Sequence, residues 1–394
     1  MTRVTRSLLL AALAFGRAPV SLASCDIPET FAPVSEPQLP DPWTFYNGEP
    51  VKTKEDWACR QEEMSKILQQ FQLGDLPPPP QSVQASLEGN TVTMTVTTKT
   101  NSATARFTIR NTPRAAGSSG GPAVVAVGSY PTIPVPDGLG IIGFDNDACA
   151  AQTSAQAYGK GWFYDLHGSD HPAGSLMAWA WCAGRVIDAL QQLGPEKTGI
   201  DTKRLAVTGC SRNGKGALAV GAFEKRFALT VPVEGGTGGA GSWRISDFLS
   251  ANGSVIQTAR QLVTENTWMS PRFQKYVNNV TTIPADQHFL PALIAPRGLF
   301  VIESNIEWLG PDSTTIAMKA GREIYAALGV KSNMGFYLEP SGEHNHCQFP
   351  ANAGVALGAF YGRFLQPTVD IEVSNSTLEL GDWTGDWSPA PKLG

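Results

Sequence analysis

The most informative segment of the chain is Arg204-Leu-Ala-Val-Thr-Gly209-Cys210-Ser211-Arg212-Asn213-Gly214-Lys215-Gly216. It contains an apolar strand, a sharp turn of small residues and the start of an amphipathic helix near Arg212. A turn of this kind lifts a serine hydroxyl above a sheet and aims it at the N-terminus of the following helix. The segment therefore predicts that Ser211 is a nucleophile.

The turn departs from the usual Gly-x-Ser-x-Gly pattern, because Asn213 occupies the last glycine position and Gly214 follows it. Asparagine tolerates left-handed backbone geometry better than most residues, so the turn remains feasible. The same residues also match a phosphate-binding loop up to its final Ser or Thr. Gly216 stands at that position and has no hydroxyl for Mg²⁺, so we favour the nucleophile over a nucleotide site.

Apolar runs alternate with helical stretches on both sides of this segment. The strand-like runs are residues 123–127, 140–144, 205–207, 228–233, 299–302 and 334–338. The helical stretches are residues 175–193, 212–223, 314–328 and 351–364. Continuous apolar strands separated by helices indicate a mostly parallel sheet covered on both faces. We expect an α/β protein of the α/β-hydrolase fold, a three-layer αβα sandwich with functional residues at the carboxyl ends of its strands.

The N-terminal part of the chain carries different signals. Residues 1–23 have the basic start, short apolar run and small-residue cleavage site of a secretory signal peptide. Residues 24–81 are rich in proline and predict an extension that wraps the surface of a catalytic domain, residues 82–394. Residues 82–110 alternate polar and apolar side chains, which predicts antiparallel strands with turns at residues 89–90 and 101–102.

The composition restricts compartment and partners. Six cysteines in an exported chain are an even set in an oxidising environment, and Cys25 with Cys59 would staple the extension. A net charge of -5 offers no broad basic surface, so we expect no nucleic acid partner, and no membrane span is visible. The glycosylation sequons at Asn252, Asn279 and Asn375 agree with an extracellular protein.

A base for the nucleophile is expected in the loop after the last predicted strand, which contains His344 and His346. We favour His346, because Cys347 beside it and Cys210 beside Ser211 could form a disulfide that clamps the pair. Two strand-end carboxylates, Glu234 and Glu303, are candidates for the acid. The usual position in this fold favours Glu303.

The other histidines do not predict a metal site. His167 and His171 have a His-x-x-x-His spacing, but residues 165–172 are turn-like, so their side chains would not share a helical face. His288 has no recognisable partner pattern. We expect neither a metal nor another cofactor.

Several motifs resemble one family, the fungal-type glucuronoyl esterases of carbohydrate esterase family fifteen. They are residues 207–216, Val233-Glu-Gly-Gly236, Trp308 and His346-Cys-Gln-Phe-Pro350. The resemblance covers nearly the whole chain after residue 23. It implies an enzyme that cleaves the ester between 4-O-methyl-glucuronic acid on xylan and lignin alcohols. We expect the protein to be a monomer.

The resemblance also implies roles for individual residues. Ser211 would be the nucleophile, His346 the base and Glu234 the acid, with Arg212 contributing to the oxyanion hole. The implied substrate contacts are Lys215, Gln257, Glu265 and Trp308.

The chain departs from the family at one disulfide. Ser242 stands where the first cysteine of a third disulfide would lie. Cys149 and Cys182 are left over, and either they pair with each other or Cys182 is a buried thiol.

Two alternative functions stay open at this point. One is an acetyl-xylan or feruloyl esterase on the same fold. The other is a carbohydrate-binding protein without catalytic activity.

Overall fold

The structure is a computed structural model that describes residues 25–112, 120–341, 344–366, 381–384 and 387–393. The predicted signal peptide and the sequon at Asn375 lie outside these residues. Among the described helices, none is both long and apolar enough to cross a bilayer.

One sheet of nine strands organises the described part of the chain, in the spatial order β1-β2-β3-β5-β4-β6-β7-β8-β9. The strands are β1 (Ser82–Glu88), β2 (Thr91–Thr97), β3 (Ser102–Arg110), β4 (Gly121–Val127), β5 (Gly140–Phe144), β6 (Ile200–Cys210), β7 (Leu229–Val233), β8 (Gly298–Ser304) and β9 (Met334–Glu339). The pairs from β1 to β5 along this order are antiparallel. All pairs from β5 to β9 are parallel. The predicted mostly parallel sheet is confirmed.

The described helices precede β1, separate β5, β6, β7, β8 and β9 along the chain, and follow β9. They are α1 (Lys54–Leu68), α2 (Asn146–Cys149), α3 (Trp162–His167), α4 (Ser175–Leu193), α5 (Pro195–Thr198), α6 (Arg212–Phe223), α7 (Trp243–Ala251), α8 (Ala259–Glu265), α9 (Phe289–Ile294), α10 (Pro311–Ala327) and α11 (Gly354–Phe364). Helices α4 and α6 agree with the predicted bounds. Helix α10 begins three residues early because Pro311 occupies the first helical position, where no intrahelical N–H bond is needed.

The N-terminal segment is more deeply embedded than its composition suggested. Helix α1, missed by the sequence analysis, begins with a capping box between Thr53 and Asp56 and continues as a π-helix, Gln69–Leu73. Met64 and Phe71 are fully buried in the main hydrophobic core. Helix α1 therefore packs its apolar face against the rest of the molecule.

The segment at residues 165–172 also differs from its prediction. Its first three residues belong to α3, which is bounded by Gly161 at φ +115° and Gly168 at φ +97°. In the sequence these glycines indicate a turn, whereas in the structure they lie at the two ends of a short helix. The imidazoles of His167 and His171 pack against each other, with ring centroids 5.6 Å apart.

Candidate active site

Ser211 lies in a tight turn between β6 and α6. Its backbone has φ 61° and ψ -125°, a conformation that non-glycine residues rarely adopt. The turn is held by the Ser211 N–H, which donates to Val233 O at 3.0 Å, and by Ser211 O, which accepts from Lys215 N–H at 3.0 Å. Backbone strain of this kind is typical of functional positions, and it presents the serine at the N-terminus of α6.

The asparagine in the turn has a structural explanation. A Cβ atom at Gly209 would lie 2.3 Å from Asn213 O, and one at Gly214 would lie 2.3 Å from Val233 O. Glycine is therefore required two residues before and three residues after Ser211. The Asn213 side chain has a partner of its own, because its Oδ1 accepts from Asn146 Nδ2 at 3.2 Å.

A disulfide joins the turn that carries Ser211 to the loop that carries His346. Cys210 and Cys347 are bonded, with their Cα atoms 5.7 Å apart. Ser211 follows one cysteine and His346 precedes the other, so the bond brings the neighbourhoods of both residues together. The His346 side chain is 31% exposed, which leaves it accessible to a substrate.

Glu234 is the carboxylate that meets this imidazole. Its Oε2 accepts from His346 Nδ1 at 2.7 Å and from the Cys347 N–H at 2.6 Å. Burial raises the pKa of Glu234, but the hydrogen bonds from His346 and Cys347, with the nearby Ser304 hydroxyl, together hold it below its ordinary value of 4.5. An ionised carboxylate orients the ring and leaves Nε2 of His346 as the nitrogen for proton transfer.

Glu303, the other strand-end candidate, lies behind this acid and does not contact the imidazole ring by a hydrogen bond. Its Oε1 accepts from the Gly235 N–H at 2.9 Å, so it supports the turn that carries Glu234. Burial and the charge of Glu234 raise the pKa of Glu303 to about 8. A buried carboxyl group that is neutral near pH 7 does not provide the charge that a triad acid supplies.

His344 also contacts Glu234, although the sequence analysis treated it only as the less favoured base. Its Nε2 lies 2.8 Å from Glu234 Oε1, and its side chain is 8% exposed. Residues 346 and 347 form a turn in this loop, and both histidines of the His-x-His spacing lie against Glu234.

Hydrogen-bond donors for an oxyanion near Ser211 would be backbone N–H groups or the Arg212 side chain. The Gly128 and Ser129 N–H groups, which follow β4, are already paired, since both donate to Phe144 O at 3.1 Å. In the described part of the chain no residue pairs with the exposed Arg212 side chain by an ion pair or hydrogen bond. Arg212 directly follows Ser211 in the chain, so it is a candidate donor.

Lys215 lies one helical turn beyond Ser211 and is only 3% exposed. Its Nζ donates to Gly235 O and to Thr237 O and lies 5.2 Å from the ring centroid of Trp268. Burial lowers the pKa of Lys215 to about 7, while Glu303 and Glu265 act in the opposite direction. Trp268 was not predicted, because nothing in its local sequence indicates a lysine partner.

The remaining implied substrate contacts form a connected group. Gln257 Nε2 donates to Glu265 Oε2 at 3.3 Å, and the Gln257 N–H donates to Trp308 O at 3.1 Å. The Trp308 side chain is 40% exposed, and its ring meets the His346 ring edge-on at 5.0 Å between centroids. The structure thus connects these three residues to His346.

Several other predicted residues lie outside this group. His288 is buried, with Nε2 2.8 Å from Pro40 O, and burial lowers its pKa to about 4. Asn252 and Asn279 are exposed. Cys25 is bonded to Cys59, and Cys149 is bonded to Cys182.

One cluster within the described residues has the composition of a metal site. It consists of Cys210, Glu234, His346 and Cys347. Both sulfur atoms belong to the disulfide and are not thiolates, so the cluster fits a clamped acid–base pair better than a set of metal ligands.

Comparison with known proteins gives consistent results. The family model described as "Glucuronyl esterase, fungi" matches residues 92–329. The 4-O-methyl-glucuronoyl methylesterase of Thermothelomyces thermophilus is 47% identical, with 100% of each chain covered.

Two solved structures have the same fold and related sequences. The glucuronoyl esterase of Sporotrichum thermophile, a serine-to-alanine mutant in complex with methyl 4-O-methyl-β-D-glucopyranuronate, has a TM-score of 0.90 and 47% identity over 94% of this chain and 100% of that chain. The glucuronoyl esterase catalytic domain of Hypocrea jecorina has a TM-score of 0.88 and 43% identity over 93% and 100%. This chain belongs to the fungal glucuronyl esterase family.

Proposed function

We propose that this protein hydrolyses esters of 4-O-methyl-glucuronic acid, with Ser211, His346 and Glu234 as nucleophile, base and acid. The observation that carries the proposal is the hydrogen bond of 2.7 Å between His346 Nδ1 and Glu234 Oε2, next to a disulfide that ties the histidine loop to the serine turn. The methyl uronate bound to the Sporotrichum thermophile relative supports the choice of substrate.

The reaction follows from the groups at the site. Ser211 Oγ attacks the uronoyl carbonyl carbon and gives its proton to His346 Nε2, which produces a tetrahedral oxyanion. The Arg212 guanidinium and backbone N–H groups at the start of α6 stabilise that charge. The C–O bond to the alcohol breaks as His346 returns the proton to the leaving oxygen.

The glucuronoyl ester on Ser211 is then hydrolysed. Water attacks its carbonyl carbon while His346 takes a proton, and collapse of the second oxyanion releases the uronic acid and restores the serine. Glu234 stays ionised through both steps and stabilises the imidazolium. Lys215, Gln257, Glu265 and Trp308 hold the sugar, since together they offer donors, acceptors and an exposed indole face.

The natural substrate is the ester between glucuronoxylan and lignin alcohols. The assignment is tested by measuring hydrolysis of a methyl glucuronate ester, acetylated xylan and a feruloyl ester. The last two substrates represent the acetyl-xylan esterase and feruloyl esterase activities. We expect the glucuronate ester to be hydrolysed with the highest kcat/KM, and a higher value on either other ester would contradict the assignment.

Substitution of the two carboxylates tests the triad. Glu234→Gln should lower kcat by about 10³- to 10⁴-fold, because the amide cannot stabilise the imidazolium. Glu303→Gln keeps an acceptor for the Gly235 N–H, so its kcat should stay within about tenfold of the wild type. Ser211→Ala should abolish turnover above the background of the oxyanion hole and binding. Equal losses in both glutamate variants, or activity in Ser211→Ala, would refute the triad.

The cellular context is part of the same proposal. Residues 1–23 direct secretion, and glycans on Asn252, Asn279 and Asn375 would follow from passage through the secretory pathway. Residues 24–81 and 82–394 fold as one monomeric unit outside the cell. N-terminal sequencing of the exported protein should find Ser24 first, and light scattering should give a single-chain mass.

A further inference from the structure

The two oxygen atoms of Glu234 have different surroundings. Oε2 accepts from His346 Nδ1 and from the Cys347 N–H. Oε1 lies 2.8 Å from His344 Nε2, within hydrogen-bonding distance but not aligned for a hydrogen bond. Glu234 is 1% exposed, so water does not replace this neighbour. One carboxylate therefore lies between two imidazoles.

This distance decides where the His344 ring carries a proton. Two atoms that both have only lone pairs repel each other at 2.8 Å in a buried site, whereas an N–H group facing a carboxylate oxygen is attracted. His344 Nε2 must therefore carry a hydrogen atom, in either the neutral or the charged ring. A small rotation of the ring or of the carboxylate aligns the donor with Oε1.

Exposure separates the roles of the two histidines. The His346 side chain is 31% exposed, while the His344 side chain is 8% exposed. His344 Nε2 lies 2.8 Å from Glu234 Oε1, so that nitrogen is not available to take a proton from Ser211. His346 meets the same acid through Nδ1 and keeps Nε2 for the reaction.

We propose that His344 is a positioning residue, which holds the second oxygen of Glu234 and so fixes the carboxylate plane against His346. Without the His344 N–H, the carboxylate loses a neighbour that restrains it about its last bond, and its hydrogen bond to His346 loses direction. Misplacement of a catalytic group by about 1 Å can lower the rate about 10²-fold, even when the substituted residue does not touch the substrate. This inference rests on the proposed triad.

Three variants separate hydrogen-bond donation from packing. His344→Phe keeps a ring but has no donor, and His344→Asn has an amide that is too short to reach Oε1. His344→Gln places an amide N–H near the position of Nε2. We expect kcat on a methyl glucuronate ester to fall about 10- to 100-fold in the Phe and Asn variants, with KM changed by less than about threefold. The Gln variant should recover most of the wild-type kcat.

Controls make each outcome decisive. Asn345→Ala removes an exposed neighbour in the same loop and should leave kcat unchanged. Wild-type kcat in His344→Phe, or equal kcat values in His344→Asn and His344→Gln, would overturn the proposal. The Asn and Gln pair decides it even where the Phe variant does not fold. Ser211→Ala is measured alongside: activity there refutes the triad itself, whereas an inactive Ser211→Ala with a fully active His344→Phe refutes only the role of His344.

Discussion

Loss of the Cys210–Cys347 disulfide should lower kcat as well as stability, whereas loss of the Cys25–Cys59 disulfide should lower stability alone. The perturbation is the double variant Cys210→Ala with Cys347→Ala, which releases the histidine loop from the serine turn. The control is Cys25→Ala with Cys59→Ala, in the N-terminal segment. Both double variants remove one disulfide from the chain.

The sequence separations give the expected loss of stability. The Cys210–Cys347 bond spans 137 residues, and chain-entropy loss in the unfolded state corresponds to about 5 kcal/mol. The Cys25–Cys59 bond spans 34 residues, which corresponds to about 4 kcal/mol. The two losses of unfolding free energy should therefore be similar, because loop entropy grows only with the logarithm of length.

The activities should differ strongly. Release of Cys347 removes the covalent restraint beside His346, so we expect kcat to fall about 10- to 100-fold in that double variant. The Cys25 and Cys59 variant should keep kcat within about twofold, because neither residue contacts the site. Denaturant unfolding gives the stabilities, and steady-state hydrolysis of a methyl glucuronate ester well below the unfolding temperature gives kcat.

The opposite pattern would refute this reasoning. If the folded Cys210 and Cys347 variant retained wild-type kcat, the disulfide would not position the catalytic pair. If both double variants lost activity in proportion to their stability, the effect would be global.

Three further predictions concern Glu234, the turn that carries Ser211, and Trp308. Glu234 has a folded pKa below its ordinary value of 4.5, so it stabilises the fold above that pH and this contribution is lost as the pH falls through the folded pKa. Below pH 4.5 the unfolding free energy should therefore drop more steeply for the wild type than for Glu234→Gln, and parallel curves in denaturant titrations would contradict the assigned ionisation. A Cβ atom at Gly128 would lie 2.3 Å from Asn213 Nδ2, so Gly128→Ala should lower kcat and should lower stability by about 1 to 3 kcal/mol. The control Gly138→Ala has a similar φ but open space around the residue, so it should lower stability alone. Equal kcat losses in the two variants would show that backbone strain, and not the contact with Asn213, causes the loss. Trp308→Ala should raise KM about three- to tenfold with little change in kcat, whereas Trp308→Phe should raise it less, and an unchanged KM in steady-state kinetics would exclude the indole from binding.

Local patterns were sufficient for much of the fold. The bounds of α4 and α6 agree with their predictions, because each helix has a continuous apolar face with clear ends. Helix α1 was missed, since the prolines around it dominated the composition of the segment. Strand β6 was predicted too short, because its polar first residues lie outside the apolar run.

The candidate site could be predicted in part. Ser211 and its histidine loop were evident from motifs, since a strand–turn–helix unit and a loop after the last strand are local features. The acid was not decided by local pattern, because Glu234 and Glu303 both end buried parallel strands. The contact between His344 and Glu234 was missed for the same reason, as it joins residues 110 positions apart along the chain.

By itself, the amino-acid sequence determined the fold class, the nucleophile turn and the family resemblance, because these depend on periodicity and on residues adjacent along the chain. Only the tertiary structure decided which carboxylate meets His346 and which one supports the turn behind it. Hydrogen bonds act over about 3 Å, and burial sets the ionisation of a carboxyl group. Both depend on where distant segments meet in space.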